Sequence, residues 1–433
     1  MRGAWTGIVV VGVASVAVAA DLAAPRHSTK PSRLSAVAVR VATIHDLAAT
    51  PTAQAVDEVL AIGGRSKAAP AIQQAALEAL MAMGADDEAA RRMLVIVKSE
   101  SAKQASAIAE PLAVTLLSRP DSPAGSETLE WLDDKAAEGS RAAGLLWVAA
   151  TEMTRRGDAD AVRLLVRISE TKSFARNFSF RRGILAALIS IRRPDAVAAL
   201  VEILPSLSGE VRADVVAYLT AVSGKRHGLD TAGWAEWWRT SSATFQFHDS
   251  IDVQAARILA DDDVTSYYGI PLYADRVVFV IDTSGSMAGS RMDSAKRELM
   301  TAIGGLPETV AFTVVAFSDA PVAWRATLVP ADEAAKRAAS SFVAELVPGG
   351  LTASFNAIEA AFTFDTEAIY FLSDGEPTTG KLVAPDAIVK VLAEANRSRR
   401  LSIYTIGIMP GESLAVFLKA LAVANFGIYR QVD

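Results

Sequence analysis

The chain has no cysteine among its 433 residues. Disulfides, thiolate metal sites, cysteine nucleophiles and lipid attachment at cysteine are therefore excluded. Histidine is scarce as well. The four present are His27, His45, His227 and His248, so the last third of the chain can use neither histidine acid–base chemistry nor zinc held by imidazole. There is no excess of positive charge: the formal net charge of -6 favours solubility and argues against bulk nucleic-acid binding. Nor, beyond the first twenty residues, is there an apolar run long enough to span a bilayer. What the chain does have is apolar content (51%) and abundant alanine, the composition of a folded, helix-rich protein with room for two or three domains.

The N-terminus stands apart. Met1-Arg2 supply positive charge, and an uncharged run follows, closing on the small residues Val16-Ala17-Val18-Ala19-Ala20. This is the pattern of a secretory signal cleaved near Ala19 or Ala20. An uncleaved membrane anchor is the alternative, although the core falls short of the roughly 20 apolar residues that comfortably span a bilayer. The expectation is an exported protein, secreted or periplasmic. Residues 21–50, with Pro25, Pro31 and several basic side chains, read as a flexible tether.

From Pro51 apolar residues recur at three- and four-residue intervals, as in Ala71-Ile72-Gln73-Gln74-Ala75-Ala76-Leu77 and Gly144-Leu145-Leu146-Trp147-Val148. Such spacing predicts amphipathic helices. Between Arg181 and Gly224 the helices come in pairs, with Pro194 placed where a helix can begin. Pairs of this length repeating every ~35 to 45 residues resemble HEAT-like repeats, whose units must stack because none can bury its apolar stripe alone. An irregular helical bundle is the competing arrangement. Trp234, Trp237 and Trp238 share one helical face and suit a capping helix that seals the last repeat. Between Arg141 and Leu200 there are eleven Lys/Arg against five Asp/Glu. That bias fits a solvated helix face or a surface receiving an acidic partner or segment. Asp261-Asp262-Asp263 lacks the Gly and Glu spacing of a calcium loop and reads as linker.

The periodicity changes at Arg276. Val277-Val278-Phe279-Val280-Ile281 is a continuous β-branched and aromatic run, the signature of a parallel strand buried on both faces. Strands are predicted again at 310–317, 322–329, 368–372, 401–408 and 427–432. Helices are predicted at 292–306, 331–346, 354–362, 385–399 and 412–424. This alternation means a doubly wound, Rossmann-like α/β sheet, which binds ligands outside the carboxyl ends of its strands. Polar residues stand at those ends. The first strand stops at Asp282-Thr283-Ser284-Gly285-Ser286, Gly349-Gly350-Leu351-Thr352 precedes a helix, and a later strand ends in Leu372-Ser373-Asp374-Gly375.

These three loops, in this order, resemble the metal-ion-dependent adhesion site of the von Willebrand factor A family. Position by position, Asp282, Ser284 and Ser286 match its first motif, Thr352 its second and Asp374 its third. The resemblance implies that the serines and threonine contact a metal, that one or both aspartates act through water, and that a protein ligand's Asp or Glu completes the coordination. Two carboxylates and three hydroxyls are an all-oxygen set suited to Mg²⁺ foremost, or to Mn²⁺ or Ca²⁺.

The expected organisation is signal peptide 1–20, tether 21–50, all-α HEAT-like domain 51–240, connector 241–272 and von Willebrand A-type α/β domain 273–433. No second acid follows Asp282 at the spacing of a haloacid-dehalogenase nucleophile, because Ser284 stands there. No serine-hydrolase elbow and no phosphate-binding glycine loop is present. The expected function is thus a non-enzymatic, exported binding or adhesion protein. It would capture a protein ligand through its metal, with the helical array as a second surface, and with neither nucleic-acid binding nor a membrane span beyond an uncleaved signal anchor. The alternative is a metal-dependent docking subunit of a larger chelatase-like or ATPase-associated complex.

Overall fold

The computed structural model describes residues 33–64, 68–100, 109–119, 122–137, 143–248, 252–258 and 264–433. The signal sequence expected at 1–20 and Asp261-Asp262-Asp263 lie outside them.

The N-terminal part is a two-layered helical array. One layer contains Arg33–Ala48, Pro70–Met83, Ala109–Leu117, Ala143–Arg156, Phe178–Ser190 and Gly209–Ser223. The other contains Ala53–Gly63, Asp87–Glu100, Pro123–Ala137, Ala159–Ser169, Pro194–Ile203 and Thr231–Ser241. In much of the array a helix packs against a neighbour in the opposite layer and against the next helix of its own layer. This is how stacked pairs bury stripes that a lone pair would leave wet. The regular layering separates the array from an irregular bundle. Caps follow the local rules: Thr52, Asp158 and Thr171 accept hydrogen bonds from the first turns they precede, and Pro70, Pro123 and Pro194 open helices. At the end of the array Trp234 is fully buried and Trp237 nearly so. Their rings meet edge to face at 5.5 Å, and Phe245 packs on both Trp237 and Trp238.

Two segments differ from the sequence expectation. Residues 33–48, assigned to a tether, form a helix, because Val37, Val41, Ile44 and Ala48 recur at helical spacing and pack on the core, Ile44 completely. The segment expected to be one strand at 322–329 divides in two, with both pieces antiparallel to the strand before them. The registers show the break: Val315 faces Ala323 while Phe312 faces Val329, so the edge uses six steps where the strand it pairs with uses three, and the extra residues leave the ladder. Trp324 stacks its ring on Phe312, with centroids 5.5 Å apart and planes at 25°.

The C-terminal part opens with a hairpin, β1 (Ser266–Tyr267) and β2 (Ile270–Pro271), followed by a seven-stranded sheet. Its strands are β3 (Arg276–Asp282), β4 (Ala311–Phe317), β5 (Pro321–Ala323), β6 (Val329–Pro330), β7 (Ala368–Ser373), β8 (Ser402–Ile408) and β9 (Tyr429–Val432). The order is β5-β4-β3-β7-β8-β9, with β6 also on β4; β4, β3, β7, β8 and β9 run parallel. β7 and β8 are buried along their whole length and β3 along nearly all of it, as expected of strands covered by helices on both faces.

The helical array docks where the parallel strands begin. Arg182, on Phe178–Ser190, donates to Asp214 on the neighbouring helix (2.8 Å), to the Arg400 carbonyl (2.7 Å) and to Ser402 Oγ at the start of β8 (3.0 Å). Glu210, on Gly209–Ser223, accepts from Ser402 Oγ (2.7 Å) and Tyr404 OH (2.8 Å). Arg257, on the short helix Val253–Ile258, bridges Glu210 and Asp214. All but Asp214 of these four charged groups are almost fully buried. Two guanidinium groups meet two carboxylates, which is how charge is tolerated in a dry interface. Burial pushes Asp214 up, but Arg182 and Arg257 outweigh it and hold the carboxyl below its usual range.

The local excess of arginine is largely met from within. Arg156 pairs with Asp158 (2.7 Å), Arg163 with Asp160 (3.0 Å) and Arg193 with Asp195 (2.9 Å), while Arg182 serves the docking interface.

Candidate metal centre

Because β3 and β7 are parallel neighbours with Ile281 opposite Leu372, their carboxyl ends deliver two loops to one place. Asp282 is the last residue of β3 and is completely buried. Its Oδ2 accepts a 2.5 Å hydrogen bond from Ser373 Oγ, and its Oδ1 accepts from the Ser284 N–H at 2.8 Å. Thr283 ties the loop to β4, donating N–H and Oγ1 to the Phe317 carbonyl (2.7 and 2.9 Å). Beyond it the chain makes a 3₁₀ turn over Gly285–Met287, pinned by the fully buried Met287. This presents the two serines side by side, Ser284 Oγ 3.1 Å from Ser286 Oγ.

The second loop is bound to the first by backbone. Gly285 N–H donates to the Gly350 carbonyl (3.1 Å) and Gly349 N–H to the Thr283 carbonyl (2.8 Å). Gly350 has φ of 77°, and a Cβ there would stand 2.3 Å from an Asp319 carboxylate oxygen; only glycine meets both conditions. Leu351 N–H then donates to Asp319 (3.1 Å). Thr352 is buried, with its N–H on Thr378 Oγ1 (2.9 Å). The third loop brings Asp374, whose side chain is fully covered. Its Oδ1 accepts from Ser286 Oγ at 2.8 Å and its Oδ2 from Arg291 Nη1 at 2.9 Å.

The five residues singled out from the sequence thus gather from three loops. Ser284, Ser286 and Asp374 form one hydrogen-bonded chain. Asp282 joins through the Ser284 backbone, and Thr352 faces the same space. A Cβ on Gly375 would stand 3.4 Å from both Ser286 Oγ and Thr352 Oγ1, so these two hydroxyls flank one space beside this glycine. Burial raises the Asp282 carboxyl to about 6, against the pull of the Ser373 and Ser284 hydrogen bonds, and the Asp374 charge adds to the rise. A dication beside these carboxylates would supply the compensation that burial removes. Among the described residues no group of three or more His, Asp or Glu is placed to hold a metal ion, so a metal here must take hydroxyl oxygens. The donor set is hard and all-oxygen, and it fits Mg²⁺, Mn²⁺ or Ca²⁺.

Three contributors escaped the sequence reading: Ser373 under Asp282, Arg291 on Asp374, and Thr378 holding the Thr352 backbone. Ser373 had a signal, since it adjoins Asp374 at a strand end. Arg291 and Thr378 had none that sets them apart from ordinary surface residues.

Comparison with known proteins bears on this region. Residues 275–431 match the family model described as von Willebrand factor type A domain. Human inter-alpha-trypsin inhibitor heavy chain H4 is 32% identical over 177 residues, covering 38% of this chain and 19% of that protein. Inter-alpha-trypsin inhibitor heavy chain H1 of Mesocricetus auratus is 31% identical over 165 residues, 35% of this chain and 18% of that protein. The chain thus spans about a fifth of the length of these relatives. Among solved structures, a von Willebrand factor type A protein from Catenulispora acidiphila aligns at 23% identity with a TM-score of 0.33, covering 38% of this chain and 39% of that one. BatB from Bacteroides thetaiotaomicron aligns at 20% identity with a TM-score of 0.30, covering 36% and 90%.

Proposed function

Residues 275–431 are a von Willebrand factor type A domain, and we propose that it captures a protein ligand through a divalent cation held by Asp282, Ser284, Ser286, Thr352 and Asp374. The observation that carries this reading is the convergence of oxygen donors from three loops outside the carboxyl ends of β3 and β7. The ion is Mg²⁺ foremost, with Mn²⁺ and Ca²⁺ acceptable to the same donors. The two carboxylates nearly neutralise a dication and leave it electrophilic toward an Asp or Glu of the ligand. Leu351, half-exposed beside Thr352, adds an apolar contact at the rim.

Binding rather than turnover is supported by the chemistry nearby. Both Asp282 oxygens are engaged, by the Ser284 N–H and by Ser373 Oγ at the end of β7, and histidine is absent after position 248. The N-terminal signal pattern supports an exported location, secreted or periplasmic, and no helix among the described residues is long and apolar enough to cross a membrane. The helical array, fixed to the opposite end of the sheet, serves as the base that presents the site and as a second surface for partners.

The test is metal binding by the full chain and by two variants. Mg²⁺ at about 100 times its Kd should stabilise the parent by about 2.7 kcal/mol, read as a rise in melting temperature that chelator reverses. Asp282→Ala and Asp374→Ala should melt cooperatively without responding to the ion. A parent that is indifferent to both Mg²⁺ and chelator would sink the proposal.

A further inference from the structure

The site contains a cation of its own. Arg291 stands in the first turn of the helix Ser290–Gly304. Its Nη1 donates to Asp374 Oδ2 (2.9 Å) and to the Ser286 carbonyl (3.1 Å). Both bonds use that one nitrogen. The side chain is 33% exposed while the Asp374 side chain is fully covered, so the guanidinium reaches from a buried carboxylate out to solvent. Its position is also locally unfavourable, because a positive charge in a first turn opposes the helix dipole. A residue that breaks a local rule beside a site is a candidate for a role in that site.

We propose that Arg291 sets the balance of the centre between metal and ligand: it loosens the hold on the cation and tightens the hold on a carboxylate-bearing partner. The inference rests on the metal-binding function proposed above. Asp282 and Asp374 together carry two negative charges, and Arg291 compensates one of them, so only a single net negative charge remains for a dication. The loaded centre is then a net cation, where an arginine-free centre would be neutral. Two cations sharing one carboxylate repel, and this lowers metal affinity roughly three- to tenfold at low salt. The same surplus of positive charge favours an anion. The remaining N–H groups of the fork suit the planar carboxylate of Asp or Glu better than a point charge would. Recognition by this centre therefore involves two anchors, the ion and the guanidinium.

The test separates the two effects with Mn²⁺ and acetate as probes on the full chain. Free Mn²⁺ is followed by electron paramagnetic resonance, and acetate by the relaxation that bound Mn²⁺ imparts to its methyl protons. Arg291→Gln should bind Mn²⁺ about three- to tenfold more tightly than the parent at low salt, with the gap closing as salt screens it. It should also bind acetate several-fold more weakly at the occupied site. Arg291→Lys keeps the charge and loses the fork, so its Mn²⁺ affinity should stay near the parent's while its acetate affinity falls between the two. A residue that merely props Asp374 would shift both affinities downward. Mn²⁺ affinity unchanged or weakened in Arg291→Gln overturns the inference while leaving the metal site intact. Mn²⁺ binding that Asp282→Ala fails to diminish overturns the metal site itself, and the role of Arg291 with it.

Discussion

Ser373 is the residue on which the geometry of Asp282 depends. Its hydroxyl, fully buried and 2.5 Å from Asp282 Oδ2, orients the carboxylate and stabilises its charged form against desolvation. Groups in this position behind a metal ligand commonly change affinity by 10–100-fold when lost. Ser373→Ala should accordingly weaken Mn²⁺ binding by about tenfold while the chain still melts cooperatively. A titration matching the parent's would show that Asp282 needs no such support. The five oxygen residues were legible because each lies at a recognisable loop position, whereas their supports were not. Ser373 reaches Asp282 only through the register of β3 against β7, and Arg291 reaches Asp374 only because a turn and a helix start fold back across the third loop. Contacts between residues 83 and 91 positions apart leave no local pattern.

At the scale of elements, the buried strands and most of the helices of the α/β part were legible, since a continuous β-branched run followed by 3.6-residue periodicity has few other solutions. The edge was not, because the extra residues that divide it into β5 and β6 follow from its register on β4 and leave no periodic signal. The docking of helix onto strand was also invisible, and it carries a pH dependence. Glu367, just before β7, is almost fully buried and accepts the Glu210 N–H at the start of Gly209–Ser223 (3.4 Å) and the Asp275 N–H (3.3 Å). Burial raises it from the model-peptide value of 4.5 to about 7. Arg276 opposes the rise, Asp275 and Glu210 add to it, and Arg181 also faces this cluster. The folded chain therefore holds a proton that the unfolded chain has released. The associated stability is complete below pH ~4.5 and is lost as pH rises through about 7. Glu367→Gln should melt higher than the parent at pH ~8, by on the order of 2 kcal/mol, and the two curves should converge toward pH ~4.5. Parallel melting curves across that range would contradict this account of the interface.

The whole molecule is a helical array seated on one end of a parallel sheet, with the oxygen centre at the other end. Strands of seven residues place the two ends about 20 Å apart. The docking contacts of Arg182, Glu210 and Arg257 thus lie far from the loops of Asp282 and Asp374. The helical periods foretold the stacking; the choice of which end of the sheet the array grips depends on buried hydrogen bonds between residues roughly 200 positions apart, as from Ser402 Oγ to Glu210. We propose one divalent cation among the three loops. Crystals of the full chain grown with Mn²⁺ test it by anomalous scattering. A single strong peak is expected within ~2.5 Å of the Ser284 and Ser286 hydroxyl oxygens, absent from Asp282→Ala crystals grown in the same way. A Mn²⁺ peak elsewhere, with none among these loops, would contradict it.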